Sequence, residues 1–195
     1  MAITEIGVVL PVRQQEASYE FFEKKSLPFY KFGDTVYLPK IGTEDWVDYI
    51  CGRFEATGKH ISAELAGKIC RAVDNHSSYV QQLAWLVWIH TDETATEQDF
   101  EGAYQDIIDQ NTPLFEKQTE SLTAYQMNFL RAVLEGVHRE FTTRAILQKY
   151  KLGSSANVSI VKRALLKKEL IEMEKRQVVI PDPVMEEWLR RELGL

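Results

Sequence analysis

The chain has 195 residues, of which 45% are apolar and 27% charged, and its formal net charge is −6. That is enough chain for one large or two small domains with ordinary cores, and no apolar run approaches the ~20 residues of a membrane span. The start, MAITEIGVVLPVRQQ, lacks a basic region and a small-residue cleavage site, so the expectation is a cytoplasmic protein with no membrane partner.

Cys51 and Cys70 stand apart, with no CxxC and no Cys/His cluster. This favours reduced thiols over a disulfide or zinc framework. The charge is uneven. Residues 121–195 sum to +4 and residues 1–120 to −10, which suggests two units with different surfaces.

In chain order, IGVVL at 6–10 reads as a buried strand and QQEASYEFFEKK at 14–25 as a helix. Residues 28–41 read as extended structure around a Gly33-Asp34 turn. A helix follows, with Thr43 as expected N-cap, Trp46, Ile50 and Phe54 as its apolar stripe, and Gly58 as its stop. A second runs from Ser62 to Asp74 with Leu65, Ile69 and Val73 four apart. The third, 78–90, contains YVQQLAWLVWI and is expected at the centre of a bundle. The fourth starts at Thr96, with Asp99 in the capping-box position. Four helices with short connections make a compact bundle. The polar stretch NTPLFEKQTES at 111–121, where the charge changes sign, reads as the domain boundary, a continuing helix being the alternative.

Beyond it, Thr123 and Gln126 form a capping box with Leu122 and Met127 as staple, and that helix should end near Gly136. A short helix starts at Thr142 or Thr143 and stops by Gly153. A third is capped by Ser154 or Ser155. Segments 171–173 and 177–180 read as strands around the turn Glu174-Lys175-Arg176. Asp182-Pro183 then opens a last helix. Three helices, a hairpin and a helix are the order of a winged helix-turn-helix. The fold class expected is therefore mainly α, a helical bundle followed by a winged helix-turn-helix domain with a C-terminal helix.

On the third helix of this part, Val158, Val161 and Leu165 share one side. Ser159, Arg163 and Lys167 line the opposite side, and Lys162 and Lys168 flank the seam. In helix-turn-helix proteins such a face enters the major groove, where Arg pairs with guanine edges while Lys and Ser contact phosphates. Lys175 and Arg176 at the wing tip would add backbone contacts. The expected DNA-binding residues are thus Ser159, Lys162, Arg163, Lys167, Lys175 and Arg176. The alternative is a solvated amphipathic helix in a protein-docking module.

Catalytic and metal-binding constellations are scarce. His60, His76, His90 and His138 are scattered, and there is no HExxH and no GxSxG. Gly58-Lys59 and Gly67-Lys68 fail the phosphate-loop pattern, because His60 and Ile69 stand where Ser or Thr should ligate magnesium. No catalytic residue and no metal ligand is assigned.

Four segments together resemble one family: PFYKFGDTVYLPKIGTEDWVDYICGRFEATGKHIS, NHSSYVQQLAWLVW, LTAYQMNFLRAVLEGV and IPDPVMEEWL. They are similar to the ATP-binding proteins of the archaeal-ATPase group, P-loop proteins related to AAA+ ATPases. Those run in the order ATPase core, helical lid, C-terminal winged helix. The resemblance covers about residues 20–195. It implies that residues 1–42 are a remnant of the core with its connector, 43–115 a four-helix lid-like bundle, and 121–195 the winged-helix domain.

The sequence departs from the family at telling points. No arginine stands from Asn75 to Trp88, where relatives often carry a sensor arginine, and neither a Walker A loop nor a Walker B acid is present. Phosphoryl transfer depends on positioning and charge stabilisation by those parts. The resemblance therefore implies a non-catalytic module without a cofactor of its own, ATP and magnesium belonging to full-length members. Its expected partner is DNA through the winged helix. One alternative is a regulatory module docked on an ATPase core of another chain, and another is an ATPase that needs a missing P-loop domain.

Overall fold

Helix ends are fixed by side-chain caps that satisfy orphan backbone N–H groups, and this chain spells most of them out. The computed structural model describes residues 39–195, and within it Lys40–Leu195 form one unit. The strand expected at 6–10, the helix at 14–25 and the extended segment up to residue 38 lie outside the described residues.

Helix α1 spans Thr43–Glu55 and buries Trp46, Ile50 and Phe54, as its stripe predicts. Its N-cap is Gly42 rather than Thr43, and no side chain caps it. Thr43 instead lies in the first turn, where its hydroxyl pairs with the Asn75 amide at 3.1–3.2 Å. Helix α2, Ala63–Ala72, is capped by Ser62, whose hydroxyl accepts from the Leu65 N–H. Helix α3 spans Ser77–His90. It buries Val80, Leu83, Leu86 and Val87, but Trp85 and Ile89 remain 56% and 48% exposed. The helix expected at the bundle centre therefore keeps one apolar flank open.

Helix α4, Glu97–Thr119, starts with the Thr96–Asp99 capping box and runs straight through the stretch read as a boundary. Pro113 removes one backbone donor inside this helix. Around it, polar side chains bond back one turn. The Asn111 amide donates to the Ile107 carbonyl at 2.7 Å and the Thr112 hydroxyl to the Ile108 carbonyl at 2.9 Å. The tail is held by Phe115, which is fully buried with its ring 5.7 Å from that of Trp188. The continuing helix that was the alternative for this stretch is what forms, as far as Thr119.

Helix α5, Ala124–Leu134, carries the Thr123–Gln126 capping box. The short α6, Arg144–Lys149, is followed by Gly153 at φ +78°, a left-handed value that suits glycine. Ser154 caps α7, Ser155–Lys167, by accepting from the Asn157 N–H. Strands β1, Glu172–Glu174, and β2, Gln177–Val179, pair antiparallel with Met173 opposite Val178. Asp182 caps α8, Pro183–Glu192, accepting from Val184 and Met185 N–H. The hairpin is tied to the α5–α6 connection at His138. The Val178 N–H donates to the His138 carbonyl at 3.0 Å, and the His138 ring Nδ1 donates to the Val178 carbonyl at 2.9 Å. A carbonyl only accepts, so this bond fixes the Nδ1–H tautomer.

The described residues thus make a mainly helical protein, a four-helix bundle joined to a winged helix. The core is continuous, with α8 packed on α4 and α7 on α5. Val158, Val161 and Leu165 lock α7 into it, at about 2 kcal/mol of burial for each such side chain. That locking sets which face of α7 meets solvent.

Candidate nucleic-acid interface

With one stripe of α7 buried, the opposite face is determined. Ser159, Arg163 and Lys167 are exposed and Lys162 is half-buried. The Ser159 hydroxyl donates to the Ser155 carbonyl at 3.3 Å, inside the helix. Lys162, Arg163 and Lys167 make no side-chain hydrogen bond or ion pair among the described residues, whereas neighbouring Lys168 donates to the Ser121 hydroxyl at 2.9 Å. The three free cations stand ready for an external anion.

The wing supplies a second basic point. Lys175 and Arg176 are exposed, and both have left-handed backbones, φ 47° and 65°. Positive φ at both central positions is the geometry of a type I′ hairpin turn, which favours Asn-Gly and disfavours two long side chains. Arg139, from the α5–α6 connection, donates to the Lys175 carbonyl at 3.1 Å and so stands beside the tip. No hydrogen bond or ion pair joins the wing tip to α7 among the described residues.

Two features escaped the sequence reading. Arg139 carries no local signal, since its partner is 36 positions away. Ile160 is 63% exposed on α7. It lies off the 158/161/165 stripe, so helical periodicity alone exposes it.

The other chemical candidates are occupied or scattered. Lys59, of the first Gly-Lys pair, donates to the Trp88 carbonyl at 2.8 Å and to the Thr91 carbonyl, at the negative end of α3. Lys68, of the second, is paired with Glu97 and Glu101. Neither ammonium is aimed at an open phosphate site. Burial raises the Cys51 and Cys70 thiols, with Glu55 and Asp48 adding to the rise at Cys51. Neither is thereby favoured as a thiolate. His90 pairs with Asp106 at 2.7 Å, and no group of three or more metal-ligating side chains occurs among the described residues.

Residues 113–191 match the family model of a probable winged helix domain. The match begins inside α4 and so includes Phe115, the residue that anchors α4 on the winged helix domain's last helix. The sequence matches none of the curated proteins with which it was compared. Among solved structures, the fold is similar to the Walker-type ATPase PABY2304 of Pyrococcus abyssi, with a TM-score of 0.61 and 16% identity. The likeness covers 77% of this chain and 42% of that one, so this chain spans less than half the length of its structural neighbour. At such identity the likeness concerns the fold. It agrees with the resemblance read from the sequence, a winged helix domain and a helical part shared with a Walker-type ATPase. No helix among the described residues is long and apolar enough to cross a membrane.

Proposed function

We propose that the chain is a non-catalytic, cytoplasmic module of archaeal-ATPase type that binds duplex DNA through its winged helix domain. The contacts assigned are Ser159, Lys162, Arg163 and Lys167 on α7, with Lys175 and Arg176 at the wing. One observation carries the reading: a row of cations on the solvent face of α7 without partners among the described residues, while neighbouring Lys168 bonds the Ser121 hydroxyl. Phosphate contacts dominate affinity, and neutralising them releases counterions, so such a surface binds in a salt-dependent way. The segregation of charge fits, because the winged-helix half sums to +4 within a chain of −6.

The reading assigns ATP and magnesium to full-length relatives rather than to residues of this chain. The test is a shift assay with duplex DNA across a salt series, comparing wild type with the Arg163→Ala/Lys167→Ala double variant. Binding that is absent at low salt, or identical in the double variant, would overturn the assignment.

A further inference from the structure

Helix α7 carries one long side chain that the row of cations does not explain. Ile160 is 63% exposed. It shares the solvent face with Ala156, one turn before it, and with Arg163 and Lys167, one and two turns after it. A lone exposed isoleucine is ordinary on a protein surface, so its surroundings decide what it means. From Phe141 to Lys168 the chain has no Asp or Glu at all, and Arg163 and Lys167 have no partner among the described residues. Ile160 therefore stands in a patch of a single sign, whose complement is an anionic surface.

The N-terminal half of α7 leaves room for close approach. Its solvent face presents Ser155, Ala156 and Ser159, all exposed and all short, and Ile160 is the one long side chain among them. Asn157 has an amide of the kind that reads an adenine edge. That amide donates instead to the Leu152 carbonyl at 2.8 Å and closes the turn before the helix. In helix-turn-helix modules the N-terminal residues of the recognition helix contact base edges. The apolar group that a major groove offers there is the C5-methyl of thymine.

We infer that Ile160 reads thymine: with α7 in the major groove, its side chain packs against a thymine C5-methyl while Arg163 and Lys167 hold the helix in place. The ligand is then a duplex whose site carries a T·A pair under Ile160. The inference rests on the proposed binding of duplex DNA and adds a sequence preference to it. It is separable from that binding, because a methyl contact involves no charge and leaves the salt dependence alone.

The test starts from duplexes that the full wild-type chain selects out of a random-sequence library. The selected site is expected to contain a fixed T·A pair. It is then rebuilt with uracil, which pairs as thymine does but lacks the methyl, at each thymine in turn. At one of these positions wild type should bind about fourfold more weakly, the effect of one lost apolar methyl contact. Ile160→Ala alters an exposed position and should keep the wild-type circular dichroism spectrum. It should bind the thymine and uracil duplexes equally, with the wild-type salt slope. Arg163→Ala/Lys167→Ala should weaken binding to both duplexes and keep the preference for thymine.

Selection without a fixed thymine overturns the inference. So does equal wild-type binding of thymine and uracil at every position, or a thymine preference that persists in Ile160→Ala. In each of these results a duplex is still bound, so the DNA reading survives the failure of this one. A wild type that binds no duplex even at low salt overturns both.

Discussion

The Tyr79 hydroxyl on α3 donates a 2.7 Å hydrogen bond to Asp182, a residue 103 positions away that caps α8. One oxygen of the Asp182 carboxylate takes two backbone N–H groups of α8, and the other takes the bundle's tyrosine. The cap of the winged helix domain's last helix is thus tied to the bundle. Phe115 against Trp188 adds an apolar tie between the same parts. The acidic and basic regions differ in charge, yet they share one core.

A shared core predicts shared unfolding. Tyr79→Phe removes one bond to a charged acceptor and should lower stability by about 1–2 kcal/mol. Asp182→Ala also removes the cap and should cost about 2–3 kcal/mol in all. Urea titrations followed by circular dichroism and by tryptophan fluorescence should shift together in both variants. Two separate transitions would mean that bundle and winged helix unfold independently.

The Glu135–Lys149–Tyr150 cluster, at the ends of α5 and α6, gives a pH signature. Lys149 donates to Glu135 and to the Tyr150 hydroxyl, both at 2.8 Å, and Tyr150 donates to Glu135 at 3.0 Å. The bond from Lys149, with that from Tyr150, holds the Glu135 carboxyl below its ordinary 4.5, and the bond to Glu135 lifts Lys149 to about 12. A lowered acid stabilises the fold above its unfolded value and loses that contribution as pH falls through the folded one. A raised base stabilises below 10.5 and loses it as pH rises toward about 12. The cluster should therefore contribute fully between about 4.5 and 10.5 and fade on either side. Glu135→Gln should shift the urea midpoint at neutral pH and lose that shift in acid. An unchanged difference in acid would show that charge plays no part.

The caps were legible because their chemistry is local. Ser62, the Thr96–Asp99 and Thr123–Gln126 boxes, Ser154 and Asp182 each act on a backbone N–H within three residues. The α7 face was legible for a related reason, since its buried stripe repeats every three or four positions. What the sequence hid was long-range. The choice between boundary and continuing helix at 111–121 goes to the helix, whose Phe115 packs on the distant Trp188, and Arg139 reaches the wing where the hairpin folds back to His138. The exposed flank of α3 was hidden too, because an apolar residue looks the same whether its neighbours cover it or leave it open.

The wing turn allows stability and the proposed DNA contact to be tested in one variant. Lys175 and Arg176 both hold left-handed backbones, a conformation that costs each side chain about 1 kcal/mol. Replacing them with Asn-Gly, the pair that type I′ turns favour, should raise stability by about 1 kcal/mol. The bond from Arg139 goes to a backbone carbonyl and can survive the change. If the wing contacts phosphate, the same Lys175→Asn/Arg176→Gly variant should bind DNA more weakly while being more stable. Thermal melts and shift assays on one preparation check both. A stabilised variant with unchanged DNA affinity would remove the wing from the interface.

The α7 cations allow a count as well as a direction. Each phosphate neutralised contributes about −0.9 to the slope of log affinity against log salt for duplex DNA. Arg163→Ala with Lys167→Ala should therefore flatten the slope by about 2 if both contact phosphate. If Lys167 alone does so and Arg163 reads a base edge, the flattening is about 1, accompanied by relaxed sequence preference. Lys168→Ala serves as the control, because that ammonium is already held by the Ser121 hydroxyl, and it should leave the slope nearly unchanged. Titrations of the three proteins against one labelled duplex, over a salt series at fixed pH, give all the slopes. Equal slopes in wild type and the double variant would place the DNA contact away from this face of α7, whatever the absolute affinities.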